Sequence, residues 1–364
     1  MSDDGPAARR RPSQPLLIGA ACLVLVLALV AGLWWWRSLR MTDLERALSV
    51  TPSDSARLSW TDWAGIRSEL DVSLDADSSR AGLDAFLGRA YDQDLSSTSA
   101  LLGSADVLQS DFGFSPASID WEMFSQSDQG AVILLHVPDG TDFDTIADRL
   151  ARLGFERPSD PQGVWQGGMD LLPRVSANLT PELQFLALDP DDGLILSSDR
   201  ADFLHHSLDV VHGDADSMAS DDAVGEAARA VGDPLSAAIY SGPQACRALA
   251  MSGADPTDQS AAQDLLERAG EVNPITSFAM AAEPGGTVQV ILGFENDDQA
   301  RTNADTRATL AAGPAPGQGG DFTDRYRLGP VTAEGHLVRM VLHPRDGQYV
   351  ISDLSNGPLL FATC

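Results

Sequence analysis

LDPDDGLILSSD, residues 188–199, aligns without a gap with LHPRDGQYVISD, residues 342–353, at an offset of 154 residues. Both segments contain Pro-x-Asp-Gly between two apolar runs. This pattern is a turn signal, because Gly tolerates positive φ and the Asp side chain can bond its own backbone. It predicts a β-hairpin at each position and an internal repeat in the chain.

A second match lies at nearly the same offset, 156 residues. Gly130–Leu135 is an apolar run that leads through an acidic loop into a predicted helix at Phe143–Leu153. Gly286–Ile291 leads in the same way into a predicted helix at Ala300–Ala312. Two concordant offsets indicate that the chain contains two copies of one structural unit.

The copies span residues 56–212 and 232–364, and an acidic linker at residues 213–231 joins them. The first copy carries a helical insert at about residues 74–113. Apolar strands, then an amphipathic helix, then further strands, repeated once, predict an α+β fold. We expect each copy to be an antiparallel sheet with helices packed on it.

Leu16–Trp36 is an uninterrupted apolar run with arginines on both sides. Roughly twenty such residues cross a hydrocarbon core of about 30 Å, and the three tryptophans suit the membrane interface. A cleavable signal peptide is disfavoured because the run continues into those tryptophans. The sequence predicts, in order, a cytoplasmic tail (1–14), a transmembrane helix (15–36), a stalk (37–55) and an extracytoplasmic body.

The body begins with Thr51-Pro52-Ser53-Asp54, which leads into a predicted strand near Leu58–Trp63. This layout resembles an uncharacterised family of bacterial single-pass, membrane-anchored extracytoplasmic proteins, in which Pro-x-Asp starts the first strand of a duplicated α+β body. The resemblance implies location and fold. Its motifs are structural, so it implies no catalytic or binding residue.

Acidic residues outnumber basic ones by 53 to 24, and the formal net charge is −29. Nucleic acid is excluded as a partner, since phosphate binding depends on Lys and Arg. All 24 basic residues are arginine. The absence of lysine excludes Schiff-base enzymes, P-loop NTPases, protein kinases and Ser-x-x-Lys acyl enzymes.

Three cysteines are present. Cys22 lies in the apolar run, which leaves Cys246 and Cys364 in the body. In an oxidising compartment these two are expected to form one disulfide, whereas in a reducing one they stay free. Spacing alone leaves both alternatives open.

The strongest candidate metal ligands are His205, Asp209 and His212, which share one face of a predicted helix. Imidazole and carboxylate groups are zinc ligands. The neighbouring stripe of Leu204 and Leu208 must pack inward, however, which makes the polar face a solvated flank. We therefore predict no metal and no cofactor, and the absence of recognised catalytic motifs predicts no catalytic residue.

Four tryptophans in the body are candidates either for core packing or for a stacking surface that binds a sugar or a peptide. They are Trp60, Trp63, Trp121 and Trp165.

Together these features predict a membrane-anchored, extracytoplasmic binding or scaffolding module of the cell envelope without catalysis. Its partner is expected to be an envelope protein or ligand that binds at the seam between the copies. One alternative is a metal-assisted envelope hydrolase that uses His205 and His212. The other is a carrier of a hydrophobic ligand, which requires an apolar cavity of at least about 300 Å³.

Overall fold

A computed structural model describes residues 41–364 of the chain. The predicted cytoplasmic tail, the transmembrane helix and residues 37–40 of the stalk lie outside the described residues. Among residues 41–364, no helix combines the length and the apolarity that a membrane crossing requires.

The strands of the described residues pair into one antiparallel sheet with the order β10-β11-β9-β8-β7-β1-β2-β3-β6-β5-β4. Their bounds are β1 Arg57–Asp62, β2 Trp121–Gln126, β3 Ala131–His136, β4 Val164–Gln166, β5 Phe185–Asp189, β6 Leu194–Ser198, β7 Ser236–Ser241, β8 Ser277–Ala282, β9 Val288–Gly293, β10 Tyr326–Glu334 and β11 Leu337–Pro344. The α+β class predicted from the sequence is confirmed.

The sheet is continuous across the middle of the chain, because β1 pairs with β7 from Arg57↔Tyr240 to Thr61↔Ser236. On one side of this pair the order is β1-β2-β3-β6-β5, and on the other it is β7-β8-β9-β11-β10. In both halves the first three strands are neighbours in chain order. The last strand, β6 or β11, lies between the third strand and the strand that precedes it in the chain, β5 or β10. All residues from Asp43 to Cys364 form one compact unit.

Helices cover both faces of the sheet. Their bounds are α1 Asp43–Ser49, α2 Trp63–Glu69, α3 Arg80–Asp92, α4 Ala105–Val107, α5 Phe143–Leu153, α6 Leu172–Val175, α7 Ala201–Val211, α8 Asp222–Val231, α9 Gly242–Ala248, α10 Pro256–Ala269, α11 Asp297–Ala311, α12 Phe322–Arg325 and α13 Val350–Leu354. Buried side chains of α1, α7 and α8 pack on one face, and those of the other helices pack on the opposite face. Strand β3 is accordingly buried on both sides, as its continuous apolar sequence requires.

The hairpin predicted at residues 188–199 is confirmed, since β5 and β6 pair on either side of Pro190–Gly193. The hairpin predicted at residues 342–353 is wrong, because the chain leaves β11 and enters α13. The turn chemistry is the same in both, with Gly193 at φ +65° and Gly347 at φ +73°. The two segments differ in their distant contacts. After the second turn, the Asp94 carboxylate accepts hydrogen bonds from backbone N–H groups in the first turn of α13.

The predicted acidic linker at residues 213–231 is a packed element in the structure. Residues 222–231 form α8, in which Val224, Ala227, Ala228 and Val231 are buried against the sheet. The predicted stalk also contains a docked helix, since Leu44 and Leu48 of α1 lie in the same core. The acidic residues of α8 and its cap are exposed or half-buried, and Asp221 itself caps the helix. An acidic composition is therefore compatible with a packed helix.

Helix α5 coincides with the helix predicted at Phe143–Leu153. The Asp142 side chain caps its first turn by accepting from the Thr145 N–H. It ends at Gly154, whose φ of +104° favours glycine. Ile146 and Leu150 turn its apolar face to the core, and Phe143 and Ala147 of the same face also line a cavity described next.

Candidate functional site

Cavities of the first half concentrate around α5. Four surface cavities include residues of this helix or of the turn that leads into it. Two of them adjoin, because Phe143 and Pro190 line both. We call this pair the α5 groove and describe its apolar and polar chambers in turn.

The apolar chamber has a volume of about 300 Å³. Helix α5 contributes Phe143, Ala147 and the exposed Asp144, the edge strand β4 contributes Trp165, and β5 contributes Leu188. The remaining wall is the loop from Arg157 to Pro161 together with the hairpin turn. Three prolines lie in this wall: Pro158, Pro161 and Pro190.

Trp165 forms the floor of the apolar chamber, and only 3 % of its surface is exposed. The Arg157 guanidinium lies over its ring, 5.0 Å from the centroid, and pairs with Asp148 at 3.2 Å. Among the described residues, the indole Nε1 of Trp165 has no hydrogen-bond partner. The chamber therefore offers aromatic and aliphatic surface beside one exposed carboxylate, that of Asp144, and the guanidinium of Arg157 is already engaged by Asp148.

The polar chamber has a volume of about 250 Å³ and lies at the other end of the groove. Its ionisable lining residues are His136 at the end of β3, Asp139 in the following turn, and Asp191 and Asp192 in the β5–β6 turn. The three carboxylates are exposed. Phe143 and Pro190 thus lie between a mainly apolar chamber and an acidic one.

His136 is held in one orientation. Its Nδ1 lies 3.0 Å from Oδ2 of Asp120, and its ring stacks on Trp121 with a centroid distance of 5.3 Å. The hydrogen bond to the carboxylate requires that Nδ1 carries a proton. A Cβ on Gly193 would lie 3.6 Å from Nε2, so Nε2 lies close to the β5–β6 turn.

The hairpin turn is organised by Asp189, whose side chain is 1 % exposed. Its Oδ1 accepts from the backbone N–H groups of Asp191 and Asp192 at 3.1 and 3.2 Å. Its Oδ2 lies 2.9 Å from Nε2 of His212. Desolvation raises the pKa of the Asp192 carboxyl, and the nearby Asp189 charge raises it further.

The structure does not bring the three candidate metal ligands into one site. His212, at the C-terminal end of α7, pairs with Asp189 of β5. Among residues 41–364, no group of three or more His, Cys, Asp or Glu side chains is arranged to hold a metal ion. Asp189, which the sequence did not single out, is the partner that engages His212.

The seam between the halves contains a polar cavity of about 430 Å³. Asp54, Asp128 and Asp221 line it together with Arg247, whose guanidinium bonds the Gln244 side chain. Its lining is more polar than apolar, whereas the lining of the apolar chamber is mainly apolar. The seam, where the sequence predicted a ligand, is therefore a weaker candidate than the groove of the first half.

Of the four tryptophans, Trp60, Trp63 and Trp121 are buried parts of the two cores. Trp165 is also buried, but it lines a cavity. A sequence signal for the groove existed in the proline-rich loop Arg157–Pro161, which precedes the short strand that carries Trp165. Its meaning depends on α5 and the hairpin, which lie far from it in sequence.

Disulfide pairing is also defined. Cys246 of α9 is bonded to Cys364 across a sequence separation of 118 residues. Of the two alternatives that the sequence left open, a disulfide or two free thiols, the structure has the disulfide.

Comparisons with known proteins give little. No family model and no curated protein matches the chain. Two solved structures, crystal forms I and III of TP0453, are similar with a TM-score of 0.35 and 9 % sequence identity. The similarity covers 85 % of this chain and 96 and 97 % of those chains. Similarity at this level carries no information on ligand or activity.

Proposed function

We propose that this chain is a membrane-anchored, extracytoplasmic binding module that holds a small amphiphilic molecule in the α5 groove without transforming it. The observation that carries the proposal is the junction of an apolar chamber and an acidic chamber across Phe143 and Pro190. A ligand with a short apolar tail and a polar head matches that division. This proposal combines the expected binding module with the expected carrier of a hydrophobic ligand.

Burial of the tail supplies most of the binding free energy in this proposal. Each methylene transferred from water into the apolar chamber contributes about 0.8 kcal/mol. A chamber of about 300 Å³ accommodates a short chain, at the small end of the usual range for ligand sites. The polar chamber then fixes the orientation of the head, as the few polar groups of a ligand site commonly do.

The proposed location rests on two features. The apolar run Leu16–Trp36 has the length of a membrane span. The Cys246–Cys364 disulfide is typical of oxidising compartments. Both support an anchored protein whose body lies outside the cytoplasm.

We also propose that the two halves are copies of one unit. Their common strand order supports this, as does the sequence match that places β3 and α5 opposite β9 and α11. The match at offset 154 does not support it, because its segments are a hairpin in one half and a strand followed by a helix in the other. The α5 groove, with its proline-rich wall, belongs to the first copy.

A chain-length series tests the proposed function. Full-length protein in lipid nanodiscs is titrated with butanol, pentanol and hexanol carrying a terminal trifluoromethyl group, and binding is followed by ¹⁹F NMR against empty nanodiscs. We expect the Kd to fall about fourfold for each added methylene. Ala147→Phe fills the apolar chamber and should remove this dependence, since Ala147 lines it.

The matched control is Ala151→Phe, which places the same side chain one turn later on an exposed position of α5. It should bind the alkanols as the unmodified protein does. Thermal unfolding of both variants establishes that they fold. Equal binding by Ala147→Phe and the unmodified protein would refute the proposed function.

A further inference from the structure

We propose that two copies of this chain associate through β10, the edge strand of the second half, so that their sheets become continuous. The inference goes beyond the proposed function and uses no residue of the α5 groove. Three observations carry it: an unpaired strand edge, a bulge that restricts the register, and reciprocal charges within one register.

The two edges of the sheet differ. At one edge, β4 has three residues, and Gln166 exchanges backbone hydrogen bonds with Glu156 at 2.9 and 3.1 Å. At the other edge, β10 has nine residues, and no strand or loop of the described chain pairs with its outer side. A strand edge of this length is a template for one more strand.

The backbone groups that face outward from β10 follow from two hydrogen bonds. The Arg345 N–H donates to the Arg325 carbonyl, and the Phe294 N–H donates to the His336 carbonyl. Because the direction of these groups alternates along an antiparallel strand, the odd-numbered residues of β11 face β10. The residues of β10 that turn their N–H and C=O groups outward are then Leu328, Val331 and Ala333.

A bulge in β10 restricts how a second copy can pair with it. Between Leu328 and Val331, β10 has one residue more than β11, so the outward residues are even-numbered before the bulge and odd-numbered after it. Directly opposite residues must both point at the partner strand or both point away. With a two-fold axis perpendicular to the sheet, two registers meet this condition along most of β10: Leu328 lies opposite either Val331 or Ala333 of the second copy.

Charge selects the Ala333 register. In it, Arg327 of each copy lies opposite Glu334 of the other, on the same exposed face of the sheet. Within residues 41–364, Arg327 makes no hydrogen bond or ion pair, and Glu334 has no cationic partner. In the alternative register Glu334 lies opposite Arg325, which already pairs with Asp353 at 3.3 Å.

The proline in β10 favours a second copy over other strands. Pro330 has no N–H and lies beside the bulge, so a regular strand cannot form a continuous ladder along this edge. In the Ala333 register Pro330 lies opposite Val331 of the second copy. The interruption of both strands then falls at the two-fold axis, and a hydrogen-bonded stretch remains on each side of it.

The edge belongs to a basic part of an acidic chain. Residues 325–345 contain four arginines and one glutamate, whereas the whole chain has a formal net charge of −29. Contact through this hairpin brings the arginines of each copy toward the acidic body of the other. Most other contacts between two copies would bring acidic surface against acidic surface.

The proposed symmetry suits two copies in one membrane. A two-fold axis perpendicular to the sheet keeps each face of the sheet on one side of the pair. Helix α1 packs on the same face as α7 and α8, so it lies on the same side in both copies. Because α1 follows the proposed membrane anchor in the chain, this arrangement lets one membrane hold both copies.

Energy transfer between labelled copies tests the association. The chain has no lysine, so an amine-reactive dye attaches only at the N-terminus. Full-length protein carrying a donor or an acceptor dye is reconstituted together into phosphatidylcholine liposomes over a range of protein densities. We expect transfer that saturates with density and that unlabelled protein competes away.

Charge reversal locates the contact. Arg327→Glu alone and Glu334→Arg alone each place like charges at both ends of the paired edge, and each should raise the Kd of association about tenfold. Mixed with each other, the two variants regain opposite charges at both ends and should associate as the unmodified protein does. The matched control is Arg268→Glu, at an exposed position of α10, which should leave the Kd unchanged.

Deuterium exchange tests the register independently. The outward amides of Leu328 and Ala333 should exchange more slowly at high protein density than at low density. The amides of Arg327 and Thr332 face β11 and should not respond. Thermal unfolding of each variant establishes that it folds.

The outcomes separate this inference from the proposed function. Unmodified protein without saturable transfer overturns the association, and transfer that both single variants retain places the contact outside β10 and also overturns it. Transfer that the single variants lose and their mixture fails to regain overturns the reciprocal pairing. Binding of the fluorinated alkanols to Arg327→Glu should equal that of the unmodified protein, so each of these results leaves the α5 groove to be judged by its own titration.

Discussion

At the scale of single residues, Glu122 in β2 is the clearest case of a buried charge. It is fully buried, and its carboxylate accepts from Nε1 of Trp63 at 3.0 Å and from the Ser99 hydroxyl and the Ala100 N–H, each at 2.6 Å. Desolvation outweighs these hydrogen bonds and raises the pKa of Glu122 from 4.5 to about 7. The folded protein therefore binds a proton that the unfolded chain releases near pH 4.5.

We predict that Glu122→Gln removes a pH-dependent part of the stability. The unmodified protein gains from holding this proton below pH 4.5, and loses that gain as the pH rises to about 7. The variant lacks the titration. As the pH rises from 4.5 to about 7, the unmodified protein should therefore lose about 3 kcal/mol of unfolding free energy relative to the variant.

Urea unfolding at pH values across this window measures the difference. Glu156→Gln is the control, because Glu156 is exposed and should give a pH-independent difference. Gln cannot accept every hydrogen bond that Glu122 accepts, so a constant destabilisation is expected on top of the pH effect. A difference that is flat with pH would contradict the assigned proton.

At the scale of elements, α13 shows how a short helix depends on a distant cap. Five residues do not form a stable helix on their own. The Asp94 carboxylate, which follows α3, accepts from the N–H groups of Ile351 and Ser352 at 2.6 and 3.1 Å. Asp94 itself has φ +57°, a conformation that Asp and Asn tolerate better than most residues.

We predict that Asp94→Asn weakens α13 without disturbing the backbone at position 94. One oxygen becomes an N–H donor, so one of the two capping bonds is lost. The free energy of unfolding should fall by about 1 kcal/mol, and the amides of Ile351 and Ser352 should exchange faster with deuterium. Asp92→Asn, on an exposed position two residues earlier, should change neither.

Local sequence predicted elements well where their partners are local. Helix α5 is predictable because Ile146, Ala147 and Leu150 repeat at helical spacing. The same kind of signal was present in α8, where Val224, Ala227, Ala228 and Val231 repeat at i, i+3, i+4 and i+7. The acidic residues around this helix favour a linker by composition and obscure its apolar period.

Elements that depend on distant partners were not predictable in this way. The Pro-x-Asp-Gly turns at Gly193 and Gly347 adopt similar backbone conformations, yet one joins two strands and the other leads to a helix capped by Asp94. The α5 groove has the same origin, since Trp165 gains its neighbours from α5 and the β5–β6 turn. Sequence identified Trp165 as a candidate but not the cavity that it lines.

At the scale of the whole molecule, two independent interactions hold the C-terminal segment, residues 361–364, against the body. Arg307 of α11 is fully buried, and its guanidinium donates to the carbonyls of Thr363, Phe361 and Asn273 at 2.5, 3.2 and 2.7 Å. Burial lowers the pKa of Arg307 to about 10, which leaves it charged at neutral pH. The Cys246–Cys364 disulfide is the second interaction.

We predict that replacing Cys246 and Cys364 by Ser acts mainly through the unfolded chain. Arg307 keeps the segment docked, so few native contacts are lost, whereas opening a loop of 118 residues costs up to about 4–5 kcal/mol by chain entropy. The urea midpoint should fall, and reduction of the unmodified protein should lower it equally. Cys22→Ser, which leaves the disulfide intact, should not. Equal midpoints with and without the disulfide would mean that Arg307 and packing alone set the stability.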